Sequence, residues 1–399
     1  FLGRCITLTQ KGINNIMKIT LKRTDEQVEL VKAMGSRNRE TAYAAQIALA
    51  EFIGPVLAEV INNAPTISNL FTPIEYNADD NPSIPLDLYY DVFDEDYIRV
   101  YSQSVAGGLP TNYIQPTASE LKFATYNLDS AVSFDRKYAS RSRLDVIGKT
   151  FTRVAQEVLL KQERTSSNLL MTALANATSG NAAFSAKNRN VFRTAIANRF
   201  VLDDLNKLFT KMKRVNASWS GGTPAGARKA LTDLLVSPEV VEQIRAMAYN
   251  PINTAAPTGT MDKDSTGIPA TDAVRNSVFS QSGLTEFFGV AIMEVLELGV
   301  GKRFNDVFDT VAGTTDYLNN SSTTVSSAFN GATEEIIVGL DRSRDAMIRA
   351  IAVDSETGSQ FNLVADDQFS SRQQRIGYYG ALEEGRMVLD NRALVGLIM

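Results

Sequence analysis

Residues Leu144 to Leu174 place the tightest constraint on the fold. The run holds one glycine, Gly148 near its start, and no proline, while Ile147, Phe151, Val154, Val158, Leu169, Leu170 and Ala173 recur at helical spacing. A polar stretch around Gln162 to Asn168 interrupts the repeat. About thirty residues at ~1.5 Å each predict a rod of ~45 Å. A rod of that length suits a strut better than a scaffold for loops.

The segments before it differ in kind. From Thr24 to Asn62 the pattern predicts helix: Thr24 and Asp25 cap, and Val28, Leu30 and Val31 begin an apolar face. After a Gly35-Ser36 break, Leu49, Phe52, Ile53, Val56, Leu57 and Val60 resume it, with Pro55 expected to kink it. Ala64 to Asp96 carries Pro65, Pro73, Pro82 and Pro85 with little periodicity, and is expected to lie extended on another surface. Asp96 to Phe134 predicts a long hairpin, in which Tyr97 to Ser102 and Leu121 to Leu128 alternate around a turn-rich tip, Gly107 to Pro116. A lone two-stranded ribbon is marginal in water, so it needs support, for which a neighbouring subunit is the candidate.

After the rod, Leu205, Leu208, Phe209, Met212 and Val215 predict a helix, and Leu231 to Val236 a buried strand. Ser237 caps the next helix, Pro238 takes its first position, and Val240, Val241 and Ile244 form its apolar face. Phe287 to Leu296 reads as one strand, between polar excursions at Asn250 to Gly283 and Ala312 to Gly331. Strands are expected at Glu335 to Leu340, Ala346 to Val353, Gln360 to Ala365, Gly377 to Leu389 and Leu394 to Met399. The mixture predicts an α+β fold, without internal repeats.

Composition narrows the chemistry. The 399 residues suggest two or three compact units. There is no histidine, which removes Ser-His and Cys-His nucleophile pairs and histidine metal sites. The single cysteine, Cys5, excludes disulfide frameworks and cysteine zinc sites. A net charge of −5 provides no global field to attract nucleic acid or an anionic membrane. No apolar run is expected to reach the ~20 residues of a membrane span. Phe1 to Ile16 shows neither a signal-peptide nor a lipidation pattern, and is expected to be a non-native leader, with Met17 as the true start.

Five constellations of residue types bear on chemistry. Gly299-Val-Gly-Lys302 lacks the spacing and hydroxyl residue of a phosphate loop, so a turn after a strand is favoured over nucleotide binding. Ser119-Glu-Leu-Lys122 matches Ser-x-x-Lys, but as the opening of a strand it points its serine and lysine to opposite faces. The acidic cluster of Asp79, Asp80, Asp91, Asp94, Glu95 and Asp96 matches no calcium loop and reads as solvated surface. Lys137, Arg141, Arg143 and Lys149, and Lys211, Lys213 and Arg214, read as solvated helix faces ahead of phosphate contacts. Phe123, Tyr126 and Phe134 read as cross-strand packing ahead of a base-stacking platform. No catalytic, cofactor or metal residue is assigned, and the expected class is not an enzyme.

With these elements in order, four segments resemble the major capsid protein of tailed bacteriophages, the Hong Kong 97-type fold. Tyr126 to Asp135 resembles the strand leaving the family's extended loop, and Asp145 to Leu159 its spine helix. Leu234 to Ile244 resembles a strand-to-helix junction of its axial domain, and Gln374 to Ile398 its closing β return. The likeness covers nearly everything after Met17, and its specificity lies in the order of the segments.

The resemblance implies an N-terminal arm at 17–81, an extended loop at 82–135 and a peripheral domain with the spine helix at 136–200. It further implies an axial domain at 201–351, return strands at 352–388 and a C-terminal strand at 389–399. Hexamers and pentamers would close an icosahedral shell around double-stranded DNA, contacted without sequence preference, in a virion assembled in the bacterial cytoplasm. Scaffold, portal and cement proteins are possible partners under this resemblance, and no membrane is involved. Contacts between subunits are expected at Gly107, Gly108, Leu109, Pro110, Tyr113 and Ile114. The tip from Ser102 to Gln115 has no lysine, so no covalent cross-link between loops is expected. The alternatives are an encapsulin-like compartment shell and, from another class, a histidine-free hydrolase.

Overall fold

The structure is a computed structural model. It describes residues 24–85 (except 63, 65 and 79), 102, 108, 120–177, 190–219 (except 195), 231–247, 286–313 (except 288), 328–366 (except 343–345, 356 and 357) and 373–399. Helices and strands share an α+β chain that divides into two compact units, each assembled from separate stretches of sequence.

The first unit takes residues 1–83, 122–166 and 348–387. It opens with α1 (Asp25–Met34), whose N-cap Thr24 accepts from the Gln27 amide at 3.4 Å, and α2 (Arg39–Asn62). Val31 and Met34 of α1, and Leu49, Ile53, Leu57 and Val60 of α2, are buried in one apolar cluster. The same cluster takes Ile147, Phe151, Val154 and Val158 of the long helix α4 (Leu144–Ala175), and Ile376, Tyr378 and Leu382 of β12 (Arg375–Val388). In one respect α2 departs from expectation: this helix of 24 residues, with Pro55 inside it, is long and apolar enough by composition to cross a membrane. Half of its most apolar window is buried inside the protein, where it serves as a core helix.

The stretch expected to be extended is partly built in. Residues Ile67–Leu70 form a buried 3-10 turn, and β1 (Thr72–Asn77) pairs in parallel with β10 (Met347–Val353), Thr72 opposite Ile348 and Tyr76 opposite Ala352. Pro73 is accommodated because β1 lies at the sheet edge. The sheet runs β1-β10-β12-β11, with β11 at Asn362–Asp366 and β4 (Thr125–Asp135) also paired to β12. The β4–β12 ladder is antiparallel from Thr125 opposite Gly385 to Asp135 opposite Arg375.

That ladder divides the second strand of the predicted hairpin. The alternating run from Leu121 to Leu128 is divided between two strands: β3 (Glu120–Lys122) pairs with β2 (Ser83–Pro85), whereas β4 pairs with β12, almost 250 residues later in sequence. Tyr97 to Tyr101 lies outside the described residues. A short helix α3 (Arg136–Ser140) joins β4 to α4. It packs so closely on the turn after α1 that a Cβ on Gly35 would sit 2.6 Å from the Ser140 amide nitrogen.

The second unit takes 84–121, 167–347 and 388–399. Its sheet runs β5-β13-β9-β6-β8-β7, from β5 (Val191–Arg193) and β13 (Leu394–Ile398) through β9 (Ile336–Leu340) and β6 (Asp233–Val236) to β8 (Val290–Glu294) and β7 (Glu286–Phe287). The stretch read as one strand from Phe287 is a hairpin, turned at Gly289 with φ 76°. α5 (Leu202–Trp219) and α6 (Pro238–Met247) share the core: Leu205, Leu208 and Met212 meet Val240, Val241, Ile244, Val395 and Leu397. The Ser237 hydroxyl caps α6 by accepting from the Val240 amide at 3.2 Å. One helix was not expected, α7 (Arg303–Ala312), whose Phe304, Phe308 and Ala312 are buried four residues apart.

Candidate functional site

The polar interruption in the long helix is where sequence pattern and structure diverge most. Gln162 and Ser166 do not face water, and both are fully buried. They meet Glu384 and Arg386 of β12 in the first unit. Glu384 is fully buried and collects four side chains. Arg386 grips it with Nη2 3.0 Å from both carboxylate oxygens and Nε 3.2 Å from Oε1. Arg349 Nε of β10 donates to Oε2 at 3.0 Å, Gln162 Nε2 to Oε2 at 3.0 Å, and the Tyr126 hydroxyl of β4 to Oε1 at 2.8 Å. Arg386 also bonds the Ser166 hydroxyl and lies over the Phe71 ring, 5.8 Å from its centroid.

The cluster has a definite electrostatic sign. Burial pushes the Glu384 carboxyl up, but Arg386 and then Arg349 pull it further down, and the net result lies below the usual carboxylate range. Burial, and next the Glu384 charge, push the Tyr126 phenol up to about 12. A carboxylate held ionised, closed from water and saturated with donors cannot act as an acid or nucleophile. What it can do is fix α4, β4, β10 and β12 to one another, since removing a member leaves buried charge unpaired.

The predicted features are placed as follows. Gly108 is exposed, and a Cβ added there would meet nothing within 4 Å, while Gly107, Leu109, Pro110, Tyr113 and Ile114 lie outside the described residues. Gly299 to Lys302 forms a turn entering α7, with Gly299 and Gly301 at φ 135° and 66°. Two of its amides are already bonded, Gly301 to the Gly331 carbonyl at 2.9 Å and Lys302 to the Gly299 carbonyl at 3.0 Å, so these two do not point into a phosphate cradle. Lys122 lies on β3, and Ser119 is outside the described residues, as are Asp79, Asp91, Asp94, Glu95 and Asp96. Among the described residues no group of three or more Asp, Glu, His or Cys could hold a metal ion.

Lys137 pairs with Asp135 at 3.4 Å and Arg143 with Asp145 at 3.2 Å, as expected of surface charges. Phe123 and Phe134 are buried, and Phe134 stacks on Tyr378 with centroids 6.3 Å apart, a diagonal cross-strand contact that leaves no open face for a base. The Arg349–Glu384–Arg386 cluster was missed in the sequence. Its one trace was the placement of Gln162 and Ser166 where apolar residues should recur.

No protein-family model and no curated protein matches the chain. Solved structures do. The mature capsid of bacteriophage PhiM1 is 11% identical at a TM-score of 0.46, over 84% of this chain and 86% of that one. The capsid of a native GTA particle is 11% identical at 0.46, over 84% and 91%. The SrpI encapsulin of Synechococcus elongatus PCC 7942 is 10% identical at 0.38, over 82% and 85%.

Proposed function

We propose that this chain is a structural subunit whose copies assemble into a closed shell, a major capsid protein of the tailed-phage type. The observation that carries the reading is the stem formed by β2 and β3. Because Ser83–Pro85 pairs with Glu120–Lys122, residues 86–119 begin and end at one place, as an extended loop does. The chain then enters the eleven-residue strand β4 and the 32-residue helix α4, the order the family resemblance requires.

The division into arm, extended loop, peripheral and axial domains at the boundaries given above is part of the proposal. So is assembly into hexamers and pentamers around double-stranded DNA, in the host cytoplasm, with portal, scaffold or cement proteins as partners. A loop laid on a neighbouring copy adds contact area, and many such contacts sum to a stable shell while each stays weak.

Removing Gly107 to Pro116 tests this. Electron microscopy and sedimentation of the expressed variant should show folded subunits and no closed particles; normal particles would refute the loop's role. For the intact protein, nuclease-protected DNA of uniform length inside particles supports a genome shell, whereas a protein cargo indicates an encapsulin-like compartment. A small discrete oligomer would sink the shell proposal altogether.

A further inference from the structure

The eleven-residue strand β4 is antiparallel to β12 along its whole length, and among the described residues it has no second partner strand. Just past the ladder, the Arg136 amide donates to the Gln374 carbonyl at 2.9 Å. Such pairs recur at every second residue of an antiparallel ladder, so the even-numbered residues from Tyr126 to Phe134 bond β12. The odd-numbered residues from Thr125 to Asp135 therefore turn their amides and carbonyls outward. Asn127, Asp129, Ala131 and Ser133 among them are exposed.

An open edge is ordinarily blunted by proline, lysine or a bulge, as Pro73 does on β1. The eleven residues of β4 include no proline or lysine, and their register with β12 runs without a break. An apolar row also leads up to this edge, on the face of the sheet opposite to the one that packs on α4. Ala131 stands opposite Tyr379, and Tyr379 opposite Val364 of β11. Tyr379 is 40% exposed and Val364 47%. An unblunted edge and an exposed apolar row that ends on it both call for a covering strand.

We infer that a second copy of this chain covers this edge, with β4 antiparallel to β4 about a two-fold axis at Ala131. The strand is self-complementary in that register. Ala131 faces the partner's Ala131, so the apolar row runs on from one sheet into the other. Asp129 faces the partner's Ser133, whose hydroxyl donates to a carboxylate. Asn127 faces the partner's Asp135, and Lys137 offsets the charge of Asp135 at 3.4 Å within its own chain. All of these residues turn outward, so donors meet acceptors along the seam. A slip of two residues one way sets Ala131 against Asp129, and the other way sets Asp129 against Asp135. The pairing needs only the folded first unit, and it stands whether or not the copies close into a shell.

Disulfide trapping in the full-length chain, with Cys5→Ser as background, reads the register. Ala131→Cys should give a cross-linked dimer on mild oxidation, because facing residues of a hydrogen-bonded pair lie about 5.5 Å apart at Cα, within disulfide reach. Asp129→Cys alone should not cross-link, whereas co-expressed D129C and S133C chains should form the mixed dimer. Thr41→Cys, exposed on α2, is the control for random collision. Adding Ala131→Pro to the mixed pair removes the central outward amide and leaves the β12 ladder intact. The yield of mixed dimer should then fall about tenfold or more, with circular dichroism unchanged. Cross-linking of A131C no faster than T41C, or of D129C alone as fast as the mixed pair, would overturn the pairing. Closed particles that lack these cross-links overturn it and leave the shell proposal standing. A discrete dimer that carries them supports it and sinks the shell.

Discussion

The two units bury their sheets differently. In the second, β6, β9 and β13 are buried at every residue, and the core around Leu234, Ile337, Val395 and Leu397 is apolar. Strands covered on both faces read as uninterrupted apolar runs. In the first, β4 alternates between buried and exposed residues, and its neighbour β12 buries Glu384 and Arg386 beside Tyr378 and Leu382. The second unit also buries Asp204, Asp233, Glu335 and Asp341, but among the described residues only the first closes one ionised carboxylate between two buried arginines.

The largest test of that contrast is Glu384→Gln. It keeps the shape but leaves Arg349 and Arg386 buried without a counter-charge, and should destabilise the first unit by about 3–5 kcal/mol. Hydrogen exchange should show the loss in α4, β4 and β12, with the second unit protected as before. If exchange rises equally in both, the charge cluster does not belong to one unit.

Cavity formation comes next. Leu397→Ala in the second unit should cost about 2–5 kcal/mol, and Phe151→Ala in the first about 3–5, each read by urea unfolding. Overpacking is smaller. A Cβ on Gly339 would stand 2.6 Å from Leu231 Cδ1, and one on Gly380 2.5 Å from the Phe361 ring. Both alanine variants should lose about 1–3 kcal/mol, so similar losses in the two units would show that packing, unlike charge, is common to them.

The smallest single effect is Ser237→Ala, about 1 kcal/mol, because it removes one helix cap.

The pH response separates the units more finely. Glu384 has a folded pKa below its ordinary value, so its stabilisation is present above ~4 and is lost as pH falls through the lower folded value. Tyr126 is raised from 10.0 to about 12, so its contribution holds below about 10 and is lost as pH rises toward 12. Exchange measured across pH should therefore open the first unit at both extremes. A second unit that opened at the same two points would contradict the assignment.

Much of the secondary structure was legible because local rules agreed with the fold. The Thr24 and Ser237 caps, the long helix and the apolar runs of β9, β10 and β13 follow from residue type and period alone. Helix α7 has a local signal in Phe304, Phe308 and Ala312, spaced four apart, next to a turn that Gly299 and Gly301 mark more strongly. The run from Leu121 to Leu128 was read as one strand although β3 and β4 divide it, because alternation shows that a strand has two unlike faces and says nothing of its partner. The cavity of about 280 Å³ in the first unit, between the α1–α2 turn and the start of β12, had no linear signal, since its lining residues are spread from position 34 to position 376.

By itself, then, the sequence determined where helices and strands form and which of their faces are apolar, because capping and periodicity act within a few residues. Only the tertiary structure decided that β4 belongs with β12, that Gln162 and Ser166 face a buried charge, and that Met34 and Ile376 line one cavity. Those outcomes depend on contacts between distant positions. Their energies arise when water is excluded from both partners at once, a condition no local stretch of chain can impose.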